Sequence, residues 1–253
     1  MNDFPPAHVF CQDSELGYER SRTRFISGER LILDETYRLA HLPLVAPDHP
    51  RVIRMRDGSS YVMGRHERVF SLVLPISGDL LHRSPAYRAL NEALRVAPFA
   101  PKIAWDLLDR RKDKLHATIC GSLSSGEPPV IDRMQRQELA GVGPIHVELR
   151  GLFSGSVNRG RLYLRAYPES RKGENVFRHI QRALSCRETD LYVVGVYNLT
   201  DDLDAEETAA LASLIERWWD RTILQVTVDH LWLMGACDDL VLDSIVAETV
   251  SLV

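Results

Sequence analysis

From Val69 to the C-terminus, short apolar strand runs alternate with amphipathic helices, and the order strand, helix, strand, strand comes round twice. The first pass opens on VFSLVLPI, a buried-strand run, after which Ser84-Pro85 supplies an N-cap and a first-turn proline for a helix carrying Tyr87, Leu90 and Leu94 inward. Lys102 to Trp105 and a charged turn, DRRKDK, lead to the strand LHATICG, a helix from about Val130 to Leu139, and the strands IHVELRGLF and GRLYLRAYP. The second pass begins with a helix capped by Asn175, followed by the strand LYVVGVYNLT. A helix starting at Asp204, with Glu207 in the capping-box position, then precedes two returning strands, ILQVTVDHLWLMG and DDLVLDSIV. Overlaying the passes sets His116-Ala117-Thr118 on Asn198-Leu199-Thr200. The expected fold is therefore a duplicated, bilobal α+β domain over residues 67–253: two antiparallel sheets around a central cleft, with helices outside.

Residues 1–66 read as an extension packed on that core. They are rich in charge and proline, with Arg20, Arg22 and Arg24 close together and turns at DHP and RDGSS. Leu31-Ile32-Leu33 and Tyr61-Val62-Met63 argue for short packed strands or turns. A chain of 253 residues, 45% hydrophobic, buries a core unaided, and its net charge of -4 gives no global pull toward polyanions. The four cysteines, at 11, 120, 186 and 237, form neither a CxxC pair nor a zinc spacing, so reduced thiols in the cytoplasm, no metal and no cofactor are expected. No apolar run is long enough for a membrane helix, and the start, MNDFPPAHVF, lacks the basic and apolar regions of a leader.

In a strand, residues two apart share a face, so His116 and Thr118 point together, and Cys120 is read as joining them. An imidazole titrates near neutral pH and moves a proton, while a hydroxyl beside it hydrogen-bonds a phosphoryl oxygen. Two such half-sites on related strands would place a base on one side of a phosphodiester and an acid on the other. Arg161, with Arg159 and Arg165, is a candidate phosphate-binding mouth or simply a solvated face.

The strand VFSLVLPI, a helix, KLHATI, two strands, a helix and a second H-x-T-like strand together resemble the two-histidine (2H) phosphoesterase superfamily, which includes the 2′,5′ RNA ligase-like proteins and cyclic nucleotide phosphodiesterases. The likeness runs from Val69 to Val253. It implies a bilobal duplicated fold, two H-x-T/S motifs facing one cleft, and metal-independent opening of 2′,3′-cyclic phosphates or cleavage of a phosphodiester in a nucleotide or RNA end. By that resemblance His116 is general acid or base, Thr118 and Thr200 grip phosphoryl oxygens, and Asn198 holds a water or ribose hydroxyl. Asn198 departs from the family pattern, because an amide transfers no proton near neutral pH. His230, in VDHLWL, is a distant substitute for the missing histidine.

The same residues admit plainer readings. Asn198, Thr200, Asp201 and Asp202 suit a strand end entering a helix. Trp218, Trp219 and Trp232 suit core packing. Beside the enzyme stand two other expectations: a monomeric module that holds a nucleotide or RNA-end phosphate without turnover, and a scaffold whose extension meets partners.

Overall fold

A computed structural model describes residues 8–253. Residues 1–7, which carry most of the segment read as lacking a leader, lie outside the described residues. Four helices or helical turns precede or follow the first strand: α1 (Tyr18–Ser21), α2 (Glu35–Ala40), α3 (Leu42–Val45), then after β1 (Arg65–Pro75) α4 (Gly78–Arg83). The chain continues through α5 (Pro85–Arg95), α6 (Asp106–Arg111), β2 (His116–Ser125), α7 (Arg133–Gly141), β3 (Ile145–Ser154) and β4 (Arg161–Pro168). The short strands β5 (Ser170–Arg171) and β6 (Glu174–Asn175) pair with each other and lead into α8 (Val176–Ala183). Then come β7 (Val193–Asn198), α9 (Ala205–Trp218), β8 (Thr222–Val228), β9 (His230–Asp238) and β10 (Ser244–Ser251).

The local helix signals act as read. Ser84 Oγ accepts from Tyr87 N–H at the start of α5, Asn175 Oδ1 accepts from Phe177 N–H at α8, and Asp204 with Glu207 closes a capping box on α9. The charged run before β2 is no simple turn: Asp109, Arg110 and Arg111 belong to α6, and Arg111 is buried.

In place of two sheets there is one eight-stranded antiparallel sheet in the order β10-β9-β1-β2-β7-β4-β3-β8. Its middle is a narrow seam, where β2 and β7 meet through Ala117 and Val194. The run ILQVTVDHLWLMG is two strands rather than one. It breaks at Asp229, so that β8 joins β3 at one edge while β9 crosses to β1 in the other half.

Alternation along the strands separates two faces. Leu72 and Leu74 of β1, Ala117 and Ile119 of β2, Val194 and Val196 of β7, and Leu162 and Leu164 of β4 are all nearly fully buried in the main core. Helices close that core, with α5 against β8, α8 against β2 and α9 against β3. The other face of the same strands lines a cavity.

The extension is woven into the domain. Tyr18, fully buried, donates its hydroxyl to the carbonyls of Ala166 (2.7 Å) and Tyr192 (2.8 Å). Leu31 N–H and Leu33 N–H bond Leu203 O (3.0 Å) and Asp202 Oδ1 (2.8 Å). Where short packed strands or turns were expected, Leu31 and Val62 make isolated bridges, the second followed by a turn at Met63-Gly64. Among the described residues no helix is long and apolar enough to cross a membrane.

Candidate functional site

Five strands send alternate residues into one cavity of about 480 Å³: Val69, Ser71 and Val73 from β1, His116 and Thr118 from β2, Val193 and Gly195 from β7, Arg161 and Tyr163 from β4, and Met234, Ala236 and Asp238 from β9. The pairing of His116 with Thr118 on one face is thus as the strand period predicts. His116 Nδ1 lies 2.8 Å from Lys114 O. A carbonyl only accepts, so Nδ1 carries the proton and Nε2 keeps its lone pair. Burial, opposed by that carbonyl bond and reinforced by the charges of Arg111 and Arg161, lowers the imidazole from 6.5 to about 4. At neutral pH it is an unprotonated base.

Cys120 does not join this face. Leu72 pairs with Cys120 but Val73 pairs with Thr118, so Ile119 is an extra residue in β2. The bulge reverses the alternation and turns Cys120 into the core, where burial and the neighbouring Cys186 push its thiol well above the ordinary range.

A second bulge decides the fate of Asn198. Tyr163 pairs with Gly195 and Leu162 with Tyr197, which leaves Val196 extra in β7 and returns Asn198 to the cavity side opposite Arg161. There the extension covers it. Asn198 is fully buried, its Nδ2 donates to Tyr37 Oη (3.2 Å), and Tyr37 donates in turn to Leu199 O (2.7 Å). Thr200 donates its hydroxyl to Lys102 O (3.2 Å). Neither Asn198 nor Thr200 lines the cavity: Tyr37 takes the Asn198 Nδ2 donor and leaves Oδ1 buried without a partner among the described residues, and the Lys102 loop takes the Thr200 hydroxyl.

The seam shows which residues do face His116 and Thr118. An antiparallel pair has a local twofold through its paired residues. With Ala117 opposite Val194, that axis carries His116 onto Val193 and Thr118 onto Gly195. The mate of His116 therefore stands five residues before Asn198 and holds no titratable side chain.

Its space is taken by Arg161. A Cβ on Gly195 would collide with the Arg161 guanidinium, so glycine is what lets the cation lie flat on β7. Arg161 Nη1 donates to Asp239 O (2.8 Å), the guanidinium sits 5.5 Å from the Tyr163 ring centroid, and Nε has no partner among the described residues. Below it Arg111, 2% exposed, donates to the carbonyls of Leu240 (2.8 Å) and Gly195 (3.0 Å). Burial and the charge of Arg161 lower Arg111 to about 9, which leaves it charged at neutral pH. Arg161 thus lines the cavity that holds His116 and Thr118. Arg165 is not: it is buried and stacks on Trp219, 3.7 Å from the ring centroid. Arg159 lines a separate groove of about 410 Å³ with Arg22 and Arg24.

Sequence reasoning misses the cavity's third wall, which comes from the extension. His41, Ser60, Tyr61 and His66 line it together with Asp239. Tyr61 donates to Asp239 Oδ1 (2.8 Å), His66 Nε2 stands 3.4 Å from the same atom, and His41 Nε2 lies 3.8 Å from Oδ2. Burial raises Asp239, but His66, His41, Tyr61 and Arg161 outweigh it and hold the carboxyl at about 2. Asp239 in return raises His66 above its ordinary value. No local motif marks His41, which sits between α2 and α3 and meets β-strand residues only through tertiary packing.

The remaining histidines lie elsewhere. His230 Nδ1 bonds Asp229 Oδ1 (2.7 Å), and both border another cavity. His8, His146 and Glu169 bring ligand atoms within 4.8 Å of one another. The two imidazoles, however, stack with centroids 3.4 Å apart and planes at 25°. A metal binds in the plane of each ring at about 2.0–2.1 Å, and planes so stacked do not meet at that distance, so the trio as arranged is not a coordination set. Trp218 and Trp219 are core residues, as the plainer reading has them.

No family profile and no curated protein matches this chain. Among solved structures, the protein TT0787 of Thermus thermophilus is similar at 14% identity with a TM-score of 0.35, over 73% of this chain and 97% of that one.

Proposed function

We propose that the cavity binds a phosphate ester at a nucleotide or RNA end, and that the protein is a phosphoesterase of the two-histidine type working from a single surviving motif. One observation carries the reading. His116 Nε2 and the Thr118 hydroxyl share a cavity with a guanidinium whose Nε has no internal partner among the described residues. A buried donor left unpaired costs about 1–3 kcal/mol, which a phosphoryl oxygen would return. The strand order supports the matching view of the fold, in which β10-β9-β1-β2 and β8-β3-β4-β7 are copies of one lobe joined at the seam.

Catalysis on this reading begins with His116 as general base and uses Arg161 and Thr118 to orient the phosphoryl group. The four cysteines are free thiols, in keeping with a cytoplasmic protein. A second reading, binding without turnover, is favoured by Val193 and Gly195, which offer no proton-transfer group where a second motif would stand.

Hydrolysis of 2′,3′-cyclic nucleotides and of short 2′,5′- and 3′,5′-linked oligonucleotides, with chelator present, separates the two. Turnover lost in His116→Ala supports the enzyme. Ligand-induced thermal stabilisation without product, abolished in Arg161→Ala, supports the binder. Neither effect with any phosphate ester overturns both.

A further inference from the structure

We infer that His41, from the N-terminal extension, is the second proton-transfer group of this site and does the work of the histidine that β7 lacks. The inference rests on the phosphoesterase reading above. His41 is 1% exposed and borders the cavity, yet neither of its ring nitrogens has a partner among the described residues. Two orphaned polar atoms on one buried ring are costly, and a ligand in the cavity is the group placed to satisfy them.

The ring is also prepared for its task. Tyr37 stacks on it with centroids 5.1 Å apart, which fixes its plane. Asp239 Oδ2 stands 3.8 Å from Nε2, too far for a hydrogen bond but close enough to favour an imidazolium. Asp239 is itself anchored by Tyr61 and His66, so the extension supplies the histidine together with the groups that hold its carboxylate. Asp239 thus acts on His41 as a nearby charge and not as a hydrogen-bonded orienter, and the pair is built from parts distant in sequence. The charged groups acting on His41 are Arg161 and Arg111, which oppose protonation, and Asp239, which supports it. With burial they leave the imidazole lowered to about 3. A phosphate anion seated at Arg161 offsets the guanidinium field, so ligand and proton enter together.

In the step that follows, a water oxygen bonds to phosphorus of a 2′,3′-cyclic phosphate while His116 Nε2 takes its proton. The bond from phosphorus to one ribose oxygen breaks, and the imidazolium of His41 gives that oxygen a proton. One water is consumed, the cyclic diester becomes a monoester, and the two histidines re-equilibrate through solvent.

The test compares leaving groups in the full chain. His41→Gln is expected to slow opening of a 2′,3′-cyclic nucleotide by about 10²- to 10⁴-fold, because the ribose oxygen leaves badly without a proton. Cleavage of bis(para-nitrophenyl) phosphate, whose leaving group needs no proton, is expected to fall by less than about tenfold. Equal loss on both substrates, or no loss on either, overturns the inference and leaves the phosphoesterase reading to His116→Ala. A wild type that turns over neither substrate overturns the inference as well, and thermal stabilisation by phosphate esters then decides whether the binding reading survives.

Discussion

The two strands that meet at the seam make unequal contributions to one cavity. β2 brings an imidazole and a hydroxyl at His116 and Thr118, whereas β7 brings a valine and a glycine at the positions related by the local twofold. What fills the poorer side comes from outside both strands: Arg161 lies over Gly195, and the extension adds His41 with Tyr61 and His66 around Asp239. A locally symmetric strand pair thus carries an asymmetric set of side chains. The lesson is that the side chains lining one strand of a cavity need not come from that strand, because a space on it can be filled from another part of the chain.

The largest effect that would break this comparison falls on the richer strand. His116→Ala removes the one proton acceptor that β2 supplies, and turnover of a 2′,3′-cyclic nucleotide should fall by about 10²- to 10⁴-fold with the fold intact by circular dichroism. Retention of activity would move the chemistry off β2 altogether. On the poorer strand, Gly195→Ala drives a methyl group into the Arg161 guanidinium. Displacing that cation should cost about 1–3 kcal/mol of stability and remove ligand-induced stabilisation, both read in one thermal melt. Normal ligand binding in this variant would show that Arg161 does not need β7 as its bed.

The difference between the legible and the hidden parts follows from range. Ser84, Asn175 and the Asp204–Glu207 box announce their helices within four residues, and the apolar period marks β1, β2, β3, β4 and β7. The face of a residue beyond a bulge is set by its partner strand, so the single extra residues Ile119 and Val196 misdirect any count along the chain. Such a count places Cys120 in the cleft, and an overlay without the seam register chooses Asn198 over Val193. The break at Asp229 is hidden for the same reason, since a strand and its continuation into the opposite half of the sheet read alike. His41 is out of reach because its meaning lies wholly in Arg161, Asp239 and the cavity, none of them its neighbours in sequence.

Acid should expose the two histidines together, whichever wall they come from. Both are held below their unfolded value of 6.5, His116 at about 4 and His41 at about 3. The unfolded chain therefore binds more protons than the native one over this interval. Stability is complete above about pH 6.5 and is lost as pH falls toward 4, by up to about 1.4 kcal/mol per pH unit for each histidine. Urea melts between pH 7 and 4.5 should show that slope, and His41→Gln should remove the share due to His41. An unchanged slope would mean that His41 is protonated in the native state.

Asn198 gives the smallest effect and the sharpest contrast with Val193. Its amide donates one bond to Tyr37 and lies under the extension, so Asn198→Ala should cost about 1 kcal/mol of stability and leave phosphate-ester binding as it is. Introducing histidine separates the two positions further. At residue 193 the new ring enters the cavity on the twofold mate of His116, and faster opening of a cyclic phosphate is expected. At residue 198 it must displace the Tyr37 contact in a fully buried place, and the expected result is a lower melting temperature with no gain in rate. A gain at 198 and none at 193 would mean that the register at the seam does not govern which residues work together.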